Sequence, residues 1–429
     1  MGAGKIGVLL SIFVFIIVTG CEQLKSKPQS SSLPGDDEAP PVPSQSSAPS
    51  DMPFAAQVAS TWLQEARAFA ASHPGNEGLV RFVEVLEKFD TIPVVTHGDA
   101  ITAIVKEGWQ GANEPIAQLI QQDASILEAA YAVGAGPRFD FPKPVDAFSS
   151  VPNFLQIQLL CKLMLTEARR LEATGRPDYA ATRALQTLRF SNHLFVKDVT
   201  LIQNLIAVAG QGMSIKVIES LLRNPNLSSK DAQNIGAVLY DLDKNRIKNS
   251  DMIRGESEAM IGTLRKANSD PAYRQKILNE TKDPGEKKLM ESIYRDFASF
   301  EAEHNKVWGA VLAEADKPYG ERKVVDKDFL MKLTSNPAFL VSVPNFTEAS
   351  TRWEVTLAHM RVTQAACAIK MGREDLASTF QDPFSGRPVV VTPDRVYSVG
   401  PGQMDMKGGL LYDPTNGTRS VGNIVVFRR

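Results

Sequence analysis

Three cysteines in 429 residues, Cys21, Cys161 and Cys367, are too few to staple a disulfide scaffold. An excess of one charge is also missing. Against 47 basic side chains stand 49 acidic ones, a net −2, so no broad field draws the chain to nucleic acid or acidic membranes. The five histidines (His73, His97, His193, His304 and His359) fall in no metal-ligand spacing. No G-x-S-x-G, P-loop or dinucleotide fingerprint occurs. Gly210-Gln211-Gly212 lies inside a helical run with no strand ahead of it, which excludes a phosphate cradle there. What remains is ordinary globular composition, 43% hydrophobic and 22% charged, which excludes wholesale disorder, collagen and a multi-span membrane protein. The length suits two or three domains.

The N-terminus carries the most specific signal. A basic Met1–Lys5 precedes an apolar stretch, Ile6 to Val18, of signal-peptide length and too short to span a bilayer. The following Val18-Thr19-Gly20-Cys21 resembles the bacterial lipobox, in which small residues fit the peptidase as an extended strand and a thiol takes up the diacylglyceryl group. The resemblance implies that Cys21 becomes an acylated N-terminus, anchored in a membrane. Glu22, in place of an aspartate, points to the periplasmic face of the outer membrane. The other reading is a plain signal peptide or signal anchor with an incidental cysteine. From Ser26 to Pro53 the chain has seven prolines and eight serines but no aromatic residue, the composition of a disordered tether.

From Phe54 the pattern is helical. Asn113-Glu114-Pro115, Ser269-Asp270-Pro271 and Asp283-Pro284 each read as a cap followed by proline in the first turn. Ser228 with Asp231 approximates a capping box. Ile157, Leu160, Leu163, Met164 and Leu171 mark a helix from Phe154 to Leu171, Gly175-Arg176-Pro177 ends it, and Tyr179, Leu185, Leu188 and Phe195 mark a return helix. A third runs from about Asp198. Asp283 to Lys306 reads as one amphipathic helix, with His304 on its charged, solvated face. His97-Gly98-Asp99 precedes another helix, with Asp99 as cap. Pro137 to Pro152 reads as a crossover pinned by buried phenylalanines, or else as a binding loop at a domain edge. No 34-residue period recurs, so the fold class expected is mainly α, an irregular helical bundle or short solenoid.

Beyond Met371, Pro388–Thr392, Arg395–Val399 and Asn423–Phe427 read as short strands of an antiparallel sheet. They follow a helix, Glu348–Met371, with Trp353, Leu357, Met360, Val362 and Ala366 offered to that sheet. A long helix, Asp382-Pro383-Phe384-Ser385-Gly386-Arg387-Pro388, Val396-Tyr397-Ser398-Val399-Gly400-Pro401, a glycine-rich loop and Gly422-Asn423-Ile424-Val425 together resemble the C-terminal half of type II secretion major pseudopilins. Tyr412 to Thr418 is similar to the tails of pilin-like proteins of planctomycetes, and Phe154–Asp243 joined to such a tail resembles lipoproteins of planctomycete type. The resemblance implies an α+β module over residues 346–429, after a helical domain at 54–345, a tether at 21–53 and a signal at 1–20. It also implies a calcium loop using Asp405, Asp413 and Asn416, although Gly422 and Asn423 stand where the family carries acidic residues.

Cys161 and Cys367 lie on apolar faces, as small buried hydrophobes or, in an oxidising periplasm, as a disulfide. No catalytic constellation is legible. The function expected is that of a lipid-anchored envelope protein, a non-catalytic scaffold binding an envelope protein partner. One alternative is an envelope hydrolase of peptidoglycan or polysaccharide whose carboxylates meet only in the fold. Another is a carrier with a closed apolar cavity.

Overall fold

The computed structural model describes residues 52–427, apart from 112, 147, 282, 344, 345, 415, 418 and 419. The lipobox and almost all of the expected tether lie outside the described residues. Six helices come first: α1 (Met52–Ser72), α2 (Glu77–Lys88), α3 (Ile92–Thr96), α4 (Gly98–Glu107), α5 (Glu114–Gln122) and α6 (Ala124–Ala135). An irregular crossover, 136–153, leads to α7 (Phe154–Ala173), α8 (Pro177–His193), α9 (Leu201–Leu222), α10 (Ser229–Lys244) and α11 (Asn249–Ser269). Then come α12 (Pro271–Glu280), α13 (Pro284–Arg295), α14 (Phe297–Ala315), α15 (Lys327–Met331), α16 (Pro337–Ser342), the long α17 (Phe346–Lys370) and α18 (Glu374–Ala377). The chain closes with β1 (Val390–Val391), β2 (Arg395–Ser398) and β3 (Ile424–Phe427), an antiparallel sheet in that order. The molecule is mainly helical with a small antiparallel sheet.

Side-chain caps mark eight of the helix starts among the described residues. Asp270 accepts from the amides of Ala272 and Tyr273, Asp283 from those of Gly285 and Glu286, and Ser228 and Asp231 close their box in both directions. Asn113 differs from expectation, because its side chain turns back to donate to the Gln110 carbonyl and caps nothing. The third helix also begins later than Asp198. That residue has φ +59°, which no right-handed turn accommodates, and Thr200 supplies the cap by accepting from the amide of Gln203. The expected single helix over Asp283–Lys306 is broken at Asp296 (φ −135°, ψ 61°), whose carboxylate caps α14. At α4 the N-cap position is His97, without a side-chain bond, and Asp99 lies in the first turn.

Burial is shared across the whole length of the chain. One apolar cluster joins Trp62 on α1, Phe82 on α2, Tyr131 on α6, Phe139 and Phe141 of the crossover and Phe190 on α8 to Trp308 on α14 and Trp353 on α17. A second joins α7 to α10 with Met360, Val362 and Ala366 of α17 and with Val396 and Val426 of the sheet. The helix α17 is thus buried almost all round, between helices on one side and the sheet on the other. Its partner α9 is long and apolar enough to cross a membrane by length and composition, yet most of it is buried, and Gln203, Asn204, Gln211 and Glu219 lie inside the protein with it. It serves as a core helix.

Two glycines on α11 seat the crossover and the α8–α9 connection. Gly255 and Gly262, seven residues apart and so on one face, admit backbone carbonyls that a side chain would expel. A Cβ at Gly255 would meet the Val199 oxygen, in the α8–α9 connection, at 1.9 Å. One at Gly262 would meet the Val145 oxygen, in the crossover, at 2.2 Å.

Candidate functional site

The crossover is built from its aromatic residues outward. Phe139 and Phe141 are buried against each other and against Trp62 and Phe82, and His193 stacks on Phe139 at 4.6 Å. Polar bonds then fix the backbone. Arg138 donates to the carbonyl of Phe195 at 2.5 Å, the Asp140 amide donates to the Asn76 side chain at 2.9 Å, and Lys143 pairs with Asp198. Held this way, residues 142–150 run beside Thr61 and Glu65 of α1 and Lys266 of α11, and the space between forms an open groove of about 500 Å³. That volume lies in the range of small-ligand sites.

Two carboxylates line the groove, and both are engaged. Asp146 accepts from Lys266 Nζ at 2.9 Å, from the amide of Phe148 at 3.0 Å and from Ser149 Oγ. Burial pushes its carboxyl up, but Lys266 and the Phe148 amide outweigh burial and hold it below the usual carboxylate range. Glu65 accepts a hydrogen bond from Ser150 Oγ. Lys266 also lies 4.4 Å from the centroid of the Tyr273 ring. Positive and negative groups balance, so the groove suits no strongly charged ligand.

Several further shifted titratable groups lie elsewhere, enclosed in the core. Glu256 on α11 is buried with the amide of Leu201, the first residue of α9, 3.2 Å from its Oε2, and burial pushes its carboxyl up to about 7. His304, expected on a solvated face, is buried among Phe300, Trp308 and Phe339 and shares a 3.0 Å hydrogen bond with Ser257; burial lowers it to about 4. His193 donates through Nε2 to the Val133 carbonyl and is likewise lowered to about 4 by burial. His359 donates to Glu219 across 2.8 Å, while burial raises the Glu219 carboxyl and Lys216 and His359 together pull it down to about 2. Arg246 is wedged against Phe195 and Trp353, 4.1 Å from the latter ring, and donates to the Trp353 carbonyl; burial lowers it to about 10. Shifted pKa values without access mark these groups as residues of the core.

Cys21 and its lipobox, Val18, Thr19 and Gly20, lie outside the described residues. Cys161 and Cys367 are buried free thiols, not a disulfide, and burial raises both. Asp405 accepts from the Tyr397 hydroxyl and the Lys407 amide, each at 2.8 Å, and Asn416 donates to Asp413 at 2.9 Å. Among the described residues no three His, Cys, Asp or Glu side chains gather as a metal cluster. The residue that organises this loop is Asn423, whose side chain donates to the Val399 and Met404 carbonyls and accepts from the Met406 and Gly408 amides. Asp382 has the same role in its motif, accepting from Phe384, Ser385, Ser398 and Val399. The motif had marked Asp382 in the sequence; no local signal marked the four bonds of Asn423.

Comparison with protein-family models, curated proteins and solved structures returns no match for this chain.

Proposed function

We propose that the chain is a lipid-anchored envelope protein, held through Cys21 at the periplasmic face of the outer membrane, with a non-catalytic scaffold or partner-binding role. In this reading the long helix and three-stranded sheet form a pseudopilin-like module used for its shape, not for filament assembly. The groove beside the crossover receives a segment of an envelope protein partner. One observation carries the non-catalytic reading: the groove carboxylate that Lys266 holds is not poised, and the carboxyl that is poised has no space. Asp146 is held ionised by Lys266, whereas Glu256, raised to about 7, is sealed between α9 and α11. A general acid needs both a matched pKa and reach to substrate.

The test is cross-linking in intact cells with Cys21 in place, followed by affinity purification. Recovery of one stoichiometric envelope protein is the expected result, and Cys21→Ser should shift the chain to the soluble fraction. A chain that stays monomeric and uncross-linked at native abundance would sink the scaffold. The hydrolase reading retains one supporting observation, that Glu65 and Asp146 line one groove. Turnover of peptidoglycan or polysaccharide, abolished by Glu65→Gln, would establish it.

A further inference from the structure

Asn416 is followed by Gly417, the single Asn-Gly step in the chain. This pair carries an intrinsic reaction. The amide nitrogen of the second residue attacks the carboxamide of the first, and glycine, without a Cβ, leaves the approach open. The fold does not shield the carboxamide. Asn416 is exposed, and its Nδ2 donates to Asp413 Oδ2 at 2.9 Å. That nitrogen is the one that would leave, and a carboxylate acceptor favours it in the protonated form in which it departs. Gly417 is demanded by the structure. Its φ is +50°, and a Cβ there would press on the Glu348 carboxylate, in the first turn of α17. The seat of the loop on α17 therefore maintains the reactive pair.

We propose that Asn416 is a self-modification site, where the folded chain converts the carboxamide through a cyclic imide to aspartate or isoaspartate and so loosens this loop from α17. The conversion needs neither anchor nor partner. The Gly417 nitrogen gives up its proton and bonds to Asn416 Cγ; the Cγ–Nδ2 bond breaks, and ammonia leaves with that proton. Water, the sole co-reactant, then opens the imide. Cleavage between Cγ and the nitrogen gives aspartate. Cleavage between the Asn416 carbonyl carbon and the nitrogen gives isoaspartate, with the backbone rerouted through Cβ and Cγ. Either product sets a carboxylate where an amide had donated to Asp413, so an attraction at 2.9 Å becomes a like-charge contact. The loop closes on itself through the Asp413 amide to Ser420 Oγ at 2.9 Å, and through the Asn416 amide to the Asp413 carbonyl and the Ser420 amide to the Gly417 carbonyl, each at 3.2 Å. Isoaspartate adds a carbon to the backbone inside that closure. The disturbance reaches α17 by two contacts, Gly417 against Glu348 and Tyr412 against the apolar cluster of Val355 and Ala358.

The experiment incubates the purified full chain in mildly alkaline buffer, folded and in urea, and maps its peptides by mass spectrometry with aspartate and isoaspartate separated by chromatography. Asn245 is the internal control: it is exposed and donates through Nδ2 to Asp241 at 2.9 Å, but Arg246 follows it. The expected result is conversion of Asn416 in the folded chain within a few-fold of its rate in urea, with Asn245 at least tenfold slower. An Asn416 that stays intact in the folded chain while it converts in urea overturns the proposal, because the fold then protects the pair. The consequence is read separately with Asn416→Asp, an exposed change that leaves the core untouched. Hydrogen exchange of the loop peptide and of the first turn of α17 should quicken several-fold, with α9 unchanged. Exchange equal to the parent throughout overturns the loosening of the loop.

Discussion

The side chain of Asn423 uses every hydrogen bond an amide offers, two as donor to carbonyls and two as acceptor from amides, and it is buried. A carboxylate at this position keeps the acceptors but turns both donors into lone pairs facing carbonyl oxygens. Asn423→Asp should therefore destabilise the protein by about 2–4 kcal/mol, more than a neutral truncation that leaves groups unpaired. Urea unfolding checks this, and a midpoint within error of the parent would contradict it. The sequence showed the residue type but not the four bonds, since the bonded groups lie 15 to 24 residues away in chain order. His304 shows the opposite case. Reading Asp283–Lys306 as one helix placed it between acidic neighbours on a wet face. Phe300, His304, Val307, Trp308 and Val311 share one face wherever the helix begins, so its burial was legible from their spacing, which the acidic neighbours Glu301 and Glu303 obscured.

At the scale of elements, most helices were legible because their caps and apolar periods act within a few residues. The crossover was legible only in part. Its buried phenylalanines could be anticipated from the proline-rich composition, but the seat that receives its backbone could not. That seat is Gly262, more than a hundred residues further on, and nothing in a helical pattern announces that a glycine leaves room for a distant carbonyl. Gly262→Ala puts a methyl 2.2 Å from the Val145 oxygen, and backbone cannot yield as a side-chain tip does. The expected outcome is a loss of about 1–3 kcal/mol, with the crossover lifted and the Asp146–Lys266 pair weakened. Hydrogen exchange reads this directly: amides of 142–150 should exchange at least tenfold faster while those of α17 change much less. Uniform acceleration across the chain would mean that the notch stabilises the fold as a whole and does not specifically seat the crossover.

For the whole molecule, the enclosed titratable groups set how stability depends on pH. His193 and His304 titrate near 4 in the folded protein against 6.5 when unfolded. Above 6.5 both states are neutral and nothing is lost; as pH falls from 6.5 toward 4 the unfolded chain takes up protons that the folded one refuses, and stability declines. Neither imidazole has an acidic partner in hydrogen-bonding contact to soften this, since they bond to the Val133 carbonyl and to Ser257. Glu256 acts in the opposite direction. Its carboxyl titrates near 7 folded and 4.5 unfolded, so its contribution is complete below 4.5 and is lost as pH rises through 7. Between 4.5 and 6.5 these two histidines, joined by His359, which burial also lowers, oppose one glutamate and stability rises with pH; from 6.5 to 7 the glutamate acts alone and stability falls. Stability should therefore peak near pH 6.5. Glu256→Gln keeps an oxygen for the Leu201 amide and removes the charge, so it should stabilise the protein by roughly 1–3 kcal/mol at pH 8 and scarcely at all at pH 4. Urea unfolding of parent and variant at the two pH values decides it. An equal effect at both would mean that Glu256 titrates alike in the folded and unfolded states, and a loss larger at pH 8 than at pH 4 would mean that its ionised form is needed at the start of α9.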